Sequence, residues 1–394
     1  MTLKQPLRVL QLIPALHEGG TEQGAVDMAF YTRTHGGVPF MASAGGRWAE
    51  HVKAQGIHHT TLSLNSKMPW SVVWNIWRIW YLIRKNNIHI VHARSRLPAW
   101  CGWVACKLTV FRCVRFITTF HGTYGHGSSL KKGYNRVMLK GPYVIANSNF
   151  IARHITTEYG YPPDHIVVAE RGVDTAVFNP TLYSSRQQNG LRAELKVPPQ
   201  TPLFVMVGRL TRWKGHTVLL EALSHLKDIP WVLALAGDSK NQAYLDELKA
   251  LTVTYGIADR VRFLGPRQDV ALLNVTADIA LSCSVEPEAF GRVAIEAMAM
   301  GTPIVASAHG GSLDTVVDGT TGWLVPPGDA DALAHTICRA LKTPKTLENM
   351  GKKARTHVLA RFTSAHTCAA EWSAYEKVMG SPATGGYAKR KPKT

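Results

Sequence analysis

Short apolar runs recur along the chain, and most are separated by stretches whose apolar positions return every three or four residues. The first series is RVLQLIPAL from Arg8, HIVHA from His89, RFITTFH from Arg115, YVIANS from Tyr143 and IVVAER from Ile166. A second series begins after residue 200 with PLFVMVGR, WVLALAGD, VRFLG, IALSC, PIVAS and GWLVP. Runs that are apolar at consecutive positions suit strands covered on both faces. Strand and helix in alternation predict a parallel sheet, and two such series predict two doubly wound α/β domains. Ligands of such folds lie at the C-terminal ends of strands, so the expected site is a crevice between the halves.

The chain has 394 residues, too many for one ordinary core. The polar, Pro-flanked stretch at 179–200, which contains SSRQQNG, reads as the linker, giving domains at 1–178 and 179–365. The last residues, 381–394, are Gly-rich and then basic, and read as a disordered tail. No apolar run approaches the ~20 residues of a membrane span. The opening MTLKQPLRVLQLIPAL enters a strand without the spacer and cleavage site of a secretory signal. Six cysteines at irregular spacing fit neither a zinc site nor a disulfide framework, so free thiols in a reducing cytosol are expected.

Charge changes the picture more than composition does. The net charge is +18, and no Asp or Glu stands between Glu50 and Glu158. A solvated basic face would have acids mixed in; one sign alone suits phosphates, nucleic acid or anionic lipid. Within that interval PWSVVWNIWRIWYLIRK, residues 69–85, carries Trp70, Trp74, Trp77 and Trp80 with Arg78, Arg84 and Lys85. It reads as a helix lying in a bilayer interface, as a core helix on the first sheet, or as one whose parts do both. SLKKGYNRVMLKG adds a second basic, aromatic segment. Together they suggest docking on an anionic membrane.

The loops at the strand ends hold the candidate chemistry. After Gly208, Arg209 and Lys214 offer a planar fork and a point charge, which suit a pyrophosphate. Gly19 and Gly20 in HEGGTEQ start a helix and bare its N–H groups to an anion. HGG at 309–311 is a third Gly-rich turn at the same edge. PEAFGRVAIE holds Glu288 and Glu296 eight positions apart, about 80° apart around a helix, so they cannot share one stripe. Glu288 at a helix mouth with Ala289, Phe290 and Gly291 suits sugar hydroxyls, and Glu296 inside the helix suits a ribose. The bland alternatives are a first-turn acid and an exposed helix residue. His121 ends a strand on the same edge, as a ligand contact or a buried structural histidine. His92 and Arg94, in HIVHARSR, end another strand of the first series and are further candidates.

These motifs resemble those of the retaining nucleotide-sugar glycosyltransferases of family 4 (group 1), which have the GT-B fold of two Rossmann-like domains. EAFGRVAIE matches the E-x7-E signature, VGRLTRWKG the G-R-x4-K-G segment, and HEGGTE the N-terminal glycine loop. ASAHGGSLDTVVDGTTGWLVPPGD and RGVDTAVFNP match two further stretches, with Arg171 where Asn is frequent. LAGDSK lacks the usual second glycine. The likeness runs from about residue 8 to 378 with five motifs in order, and bacterial lipopolysaccharide and envelope polysaccharide transferases are similar.

The resemblance implies that Arg209 and Lys214 neutralise the donor diphosphate in place of a metal, with no cofactor. It implies that Glu296 holds the ribose, Glu288 the donor sugar, and Gly19 and Gly20 the β-phosphate. His121 would contact the donor sugar, His92 and Arg94 could line the acceptor side, and residues 366–380 would form a helix returning to the first domain. The expected partners are a UDP- or GDP-hexose and a lipid-linked or lipopolysaccharide-type glycan acceptor at the cytoplasmic face of the membrane. Three rivals differ in kind. A glycosidase would use the two carboxylates but leave Arg209 and Lys214 without a role. An epimerase of the same fold would consume donor with no acceptor. A nucleic-acid-binding protein fits the charge but lacks a reader motif, so no nucleic-acid partner is expected.

Overall fold

The computed structural model describes residues 6–17, 19–110, 113–125 and 127–381. They form two compact units, one running to Arg171 and resuming at Ser364, the other spanning Gly172–Thr363. Of the tail expected at 381–394, residues 382–394 lie outside the described residues.

The first unit is built on seven strands: β1 Arg8–Leu12, β2 Val38–Ser43, β3 His58–Thr61, β4 Ile90–Ala93, β5 Arg115–Phe120, β6 Val144–Ala146 and β7 Ile166–Val168. All pair in parallel, in the order β3-β2-β1-β4-β5-β6-β7. The second unit has six: β8 Leu203–Val207, β9 Val232–Ala236, β10 Val261–Gly265, β11 Ile279–Ser282, β12 Ile304–Ser307 and β13 Gly322–Val325. They too are parallel, in the order β10-β9-β8-β11-β12-β13. Each sheet is wound outward in both directions from a central pair, β1/β4 in one and β8/β11 in the other. At those pairs the loops leave toward opposite faces of the sheet, which opens a recess at its C-terminal edge.

The apolar runs became strands as expected. β2 and β3 were not anticipated, because VPFMAS contains Pro39, which removes a ladder donor, and HHTT has no apolar run at all. The linker expected at 179–200 is a correction. Residues Ser185–Glu194 form a helix, closed at its start by a capping box between Ser184 and Gln187. Its one apolar stripe, Leu191 and Leu195, enters the second unit's core with Val197.

The Trp-rich segment is the helix Pro69–Lys85, with proline at its start. Asn75, Ile79 and Ile83 face inward, and the Asn75 amide donates to the Ser63 carbonyl at 3.0 Å. The opposite face is aromatic and bare: Trp70, Trp74, Trp77 and Tyr81 are 68%, 57%, 48% and 41% exposed. The segment therefore packs on the unit through one face and leaves the other in solvent.

The helix Ser364–Gly380 belongs to the first unit, where Cys368, Ala374, Tyr375 and Val378 join the core with Leu7, Met28, Ile117 and Ile145. A charge pair is buried under it. Arg94, 1% exposed, grips Glu371 through both guanidinium nitrogens at 3.0 and 2.5 Å, and its Nε donates to Gln11 Oε1 at 2.8 Å. His92 lies between Tyr375 and Thr119, its ring nitrogens 2.8 and 2.7 Å from their hydroxyls. Removing one partner of a buried pair strands the other charge. Glu371→Ala is therefore expected to lower stability by about 3–5 kcal/mol, and the Arg94→Met, Glu371→Met double variant by clearly less. Chemical denaturation checks this; a Glu371→Ala chain as stable as wild type would contradict the pair's role.

Candidate functional site

In the second unit the recess at β8/β11 gathers the residues singled out from the sequence. After β8 the chain passes Gly208 and Arg209 and makes a tight turn at Arg212–Lys214. Gly215 follows with φ 75°, and a β-carbon there would stand 1.9 Å from the Cys283 carbonyl oxygen, so only glycine fits. That contact presses the Lys214 turn against the loop leaving β11. Lys214 Nζ meets Glu288 Oε1 at 2.7 Å, with both side chains about nine-tenths buried. Ser284 Oγ donates to the same oxygen at 2.5 Å. Arg209 stays exposed, in no ion pair among the described residues.

Behind Glu288 stands the HGG turn. Gly311 N–H donates to the Glu288 carbonyl at 2.8 Å, and a β-carbon on Gly310 would lie 2.5 Å from that oxygen. His309 Nε2 is 2.8 Å from the Ser284 carbonyl, so the turn braces both ends of the loop. Phe290 fills the core edge-on to Phe362, and Gly291 caps the helix Arg292–Ala299 in the left-handed region. Glu296 sits in that helix, 9% exposed, paired with Arg292 at 2.7 Å. Burial raises its carboxyl above the usual range, opposed by Arg292 and Lys214. Glu288 and Glu296 are thus separate in role: one at the mouth with Lys214, one inside with Arg292. Ala289 lies half-buried between the mouth and Phe290.

In the first unit, His121 follows β5 and is buried. Arg171 Nη2 lies 2.6 Å from its Nδ1. A guanidinium only donates, so Nδ1 accepts and the ring proton sits on Nε2. That Nε2–H has no partner among the described residues. Burial, then Arg171, Arg94 and His92, hold the ring well below the ordinary histidine range, so it is neutral at physiological pH. Space for the guanidinium comes from Gly24, where a β-carbon would collide with it. Sequence reading noted Arg171 as a departure from the common Asn but missed what it does. Ser284 was missed too, although its spacing four residues before Glu288 was visible, and the HGG turn was noted for its glycines without the contact its His309 makes.

Two expectations meet a different placement. His92 and Arg94 are 0% and 1% exposed and hold the returning helix, so neither offers an atom to an acceptor. Gly19 and Gly20 do begin the helix Gly20–Thr34, but the carboxylate of Glu22 already lies against Gly19 in that first turn. Glu18 of the same motif lies outside the described residues.

Comparison with known proteins accounts for the pattern. A family model described as Glycosyltransferase Family 4 matches residues 18–177, and one described as Glycosyl transferases group 1 matches residues 187–357. A D-inositol 3-phosphate glycosyltransferase of Jonesia denitrificans is 32% identical over 315 residues, covering 75% of this chain and 74% of its own. The same-named protein of a Mycobacterium strain is 32% identical over 259 residues, 63% of this chain and 58% of its own. The solved glycosyltransferase from Rickettsia africae is 34% identical with a TM-score of 0.88, covering 96% of this chain and 100% of that one. Anabaena Alr3699/HepE, solved with UDP and glucose, shares the fold at a TM-score of 0.81 and 22% identity, covering 94% of this chain and 100% of its own. The two parallel sheets, the E-x7-E loop and these relatives agree: the chain belongs to glycosyltransferase family 4, and it is a transferase of GT-B fold.

Proposed function

We propose that the protein moves a hexosyl group, with retention of configuration, from a UDP- or GDP-hexose to a lipid-linked or lipopolysaccharide-type glycan acceptor at the cytoplasmic face of a membrane. The observation that carries this reading is the meeting of Lys214 with Glu288 at the β8/β11 recess. A lysine held against a carboxylate exchanges one anion for another when a diphosphate arrives, leaving Glu288 to accept sugar hydroxyls. Arg209 adds a fork for the second phosphate. As the sugar–phosphate bond breaks, negative charge grows on the leaving diphosphate, and two cations in a partly dry recess stabilise it. They supply the charge a divalent ion would, so no metal is required. Glu296 holds the ribose. The acceptor hydroxyl attacks on the face the diphosphate leaves, and its proton passes to the departing phosphate oxygen. His121, neutral with a fixed Nε2–H, donates to the donor sugar and does not act as a base.

The bare aromatic face of Pro69–Lys85 supports the membrane part. Arg78 lies over Trp74 at 6.0 Å and Lys85 over Tyr81 at 5.7 Å, so cations and rings form one surface. Such an apolar, cationic face fits the interface of an anionic bilayer. Among the described residues no helix is long and apolar enough to cross a membrane, so the attachment proposed is peripheral. A second reading, a small phosphorylated acceptor, is favoured by the D-inositol 3-phosphate named in the relatives.

Three outcomes are expected. Glu288→Gln lowers turnover about 100-fold while nucleotide diphosphate affinity holds, whereas Glu296→Ala weakens that affinity about tenfold. Both are read by calorimetry and sugar transfer with EDTA present; abolition by EDTA and rescue by Mg²⁺ would remove the cations from their role. Nitrogen-15 NMR of histidine should show His121 as the Nε2–H tautomer without titration between pH 5 and 8, with Arg171→Met shifting its titration upward while burial still holds it below the ordinary histidine range. A wild-type ring titrating near 6.5 would contradict the assignment. Anionic vesicles should bind the protein strongly at low salt and partly at high salt, since each basic residue contributes about 1 kcal/mol that salt screens. Trp74→Ser with Trp77→Ser should remove the salt-resistant part without unfolding. Equal sedimentation on neutral and anionic vesicles would end this part of the reading.

A further inference from the structure

Arg292 stands inside PEAFGRVAIE, four residues before Glu296, and is the one hydrogen-bond partner of that carboxylate among the described residues. Stability alone does not account for it. The helix Arg292–Ala299 begins with this residue, so a cation sits at the positive end of the helix, where an acid is favoured. The pair also runs in the less favourable order, with the base ahead of the acid. Glu296 is 9% exposed, and burial pushes its carboxyl up toward the neutral form; Arg292, then Lys214, oppose that. For packing alone, an apolar pair would serve as well.

Only one oxygen of Glu296 is engaged. Arg292 Nη2 donates to Oε1 at 2.7 Å, and Oε2 accepts from no group among the described residues. The carboxylate is therefore fixed on one side and open on the other. Oε2 alone has two lone pairs, enough for the two neighbouring hydroxyls of a ribose. The guanidinium is not saturated either, since its buried Nε–H has no partner among the described residues. A direct bond from Arg292 to the nucleotide is thus the rival role.

We propose that Arg292 is a positioning residue of the nucleotide site: it aims the Glu296 carboxylate and leaves Oε2 for the ribose diol, acting on the nucleotide only through Glu296. The inference rests on the nucleotide reading of the β8/β11 recess.

The test is calorimetry on the full chain with UDP, GDP and ADP and with their 2′,3′-dideoxy counterparts. Physiological salt is used, because there an exposed charge acting at a distance is screened. For whichever diphosphate the wild type binds, Arg292→Leu should weaken the ribose form about tenfold and the dideoxy form less than about twofold. With Glu296→Ala already in place, adding Arg292→Leu should cost less than about twofold more. A general loosening of the fold would weaken both forms alike. Equal losses for the ribose and dideoxy forms would therefore overturn the proposal. So would a further tenfold loss in the Glu296→Ala background, because Arg292 would then be acting on the nucleotide itself. Melting temperatures identify a variant that fails to fold; in that case Arg292→Gln, which removes the charge and keeps an amide donor, is read against the same ratio. No diphosphate binding by the wild type would fail the nucleotide reading of the recess and this inference with it. Binding with an unmoved ratio would fail the inference alone.

Discussion

Parallel pairing of every strand is the constraint from which the rest of this structure follows. Parallel strands need a crossover after each one, so all the C-terminal ends come to one edge of a sheet and all the variable loops with them. Winding outward from β1/β4 and from β8/β11 then leaves one recess per sheet where consecutive loops part. Several of the candidate residues collect at those two places. Lys214 comes from the loop after β8 and Glu288 from the loop after β11, 74 residues apart in sequence and 2.7 Å apart in space. Pro14 and Arg96 come from the loops after β1 and β4 and line one cavity.

The two units use buried charge differently. In the first, Arg94 and Glu371 are 1% exposed and satisfy each other completely, which fixes the last helix to the sheet and leaves nothing for a ligand. In the second, Lys214 and Glu288 keep about a tenth of their side-chain surface open, and Arg209, on the same loop as Lys214, is exposed and in no ion pair among the described residues. A pair that is nearly but not wholly covered can exchange partners without first unpacking a core. Between these extremes lies His121, whose Nδ1 is taken by Arg171 while its Nε2–H has no partner among the described residues.

Much of this was legible in the sequence, and the reasons it stopped are physical. Apolar runs marked eleven strands, because strands covered on both faces leave no other pattern. β2 and β3 escaped, since VPFMAS is broken by Pro39 and an edge strand with the sequence HHTT buries little. Motif spacing marked Arg209, Lys214, Glu288 and Glu296, but not that Lys214 would be held by Glu288. That contact needs the Gly215 turn to fit under the Cys283 carbonyl, which no local pattern encodes. His92 and Arg94 were read as acceptor-facing from their place after β4. What buries them is Glu371 and Tyr375, nearly 280 residues further on. The Trp-rich helix was ambiguous because its periodicity supports two apolar faces, and only the fold shows which one is covered.

The central claim is that a nucleoside diphosphate is held at the β8/β11 recess of the second unit. Hydrogen–deuterium exchange of the full chain with saturating UDP, GDP or ADP tests it directly, because protection is located along the sequence. The account predicts that at least one of the three slows exchange in residues 208–215 and 284–296 together. Protection confined to the first unit, or none with any of the three, would contradict it.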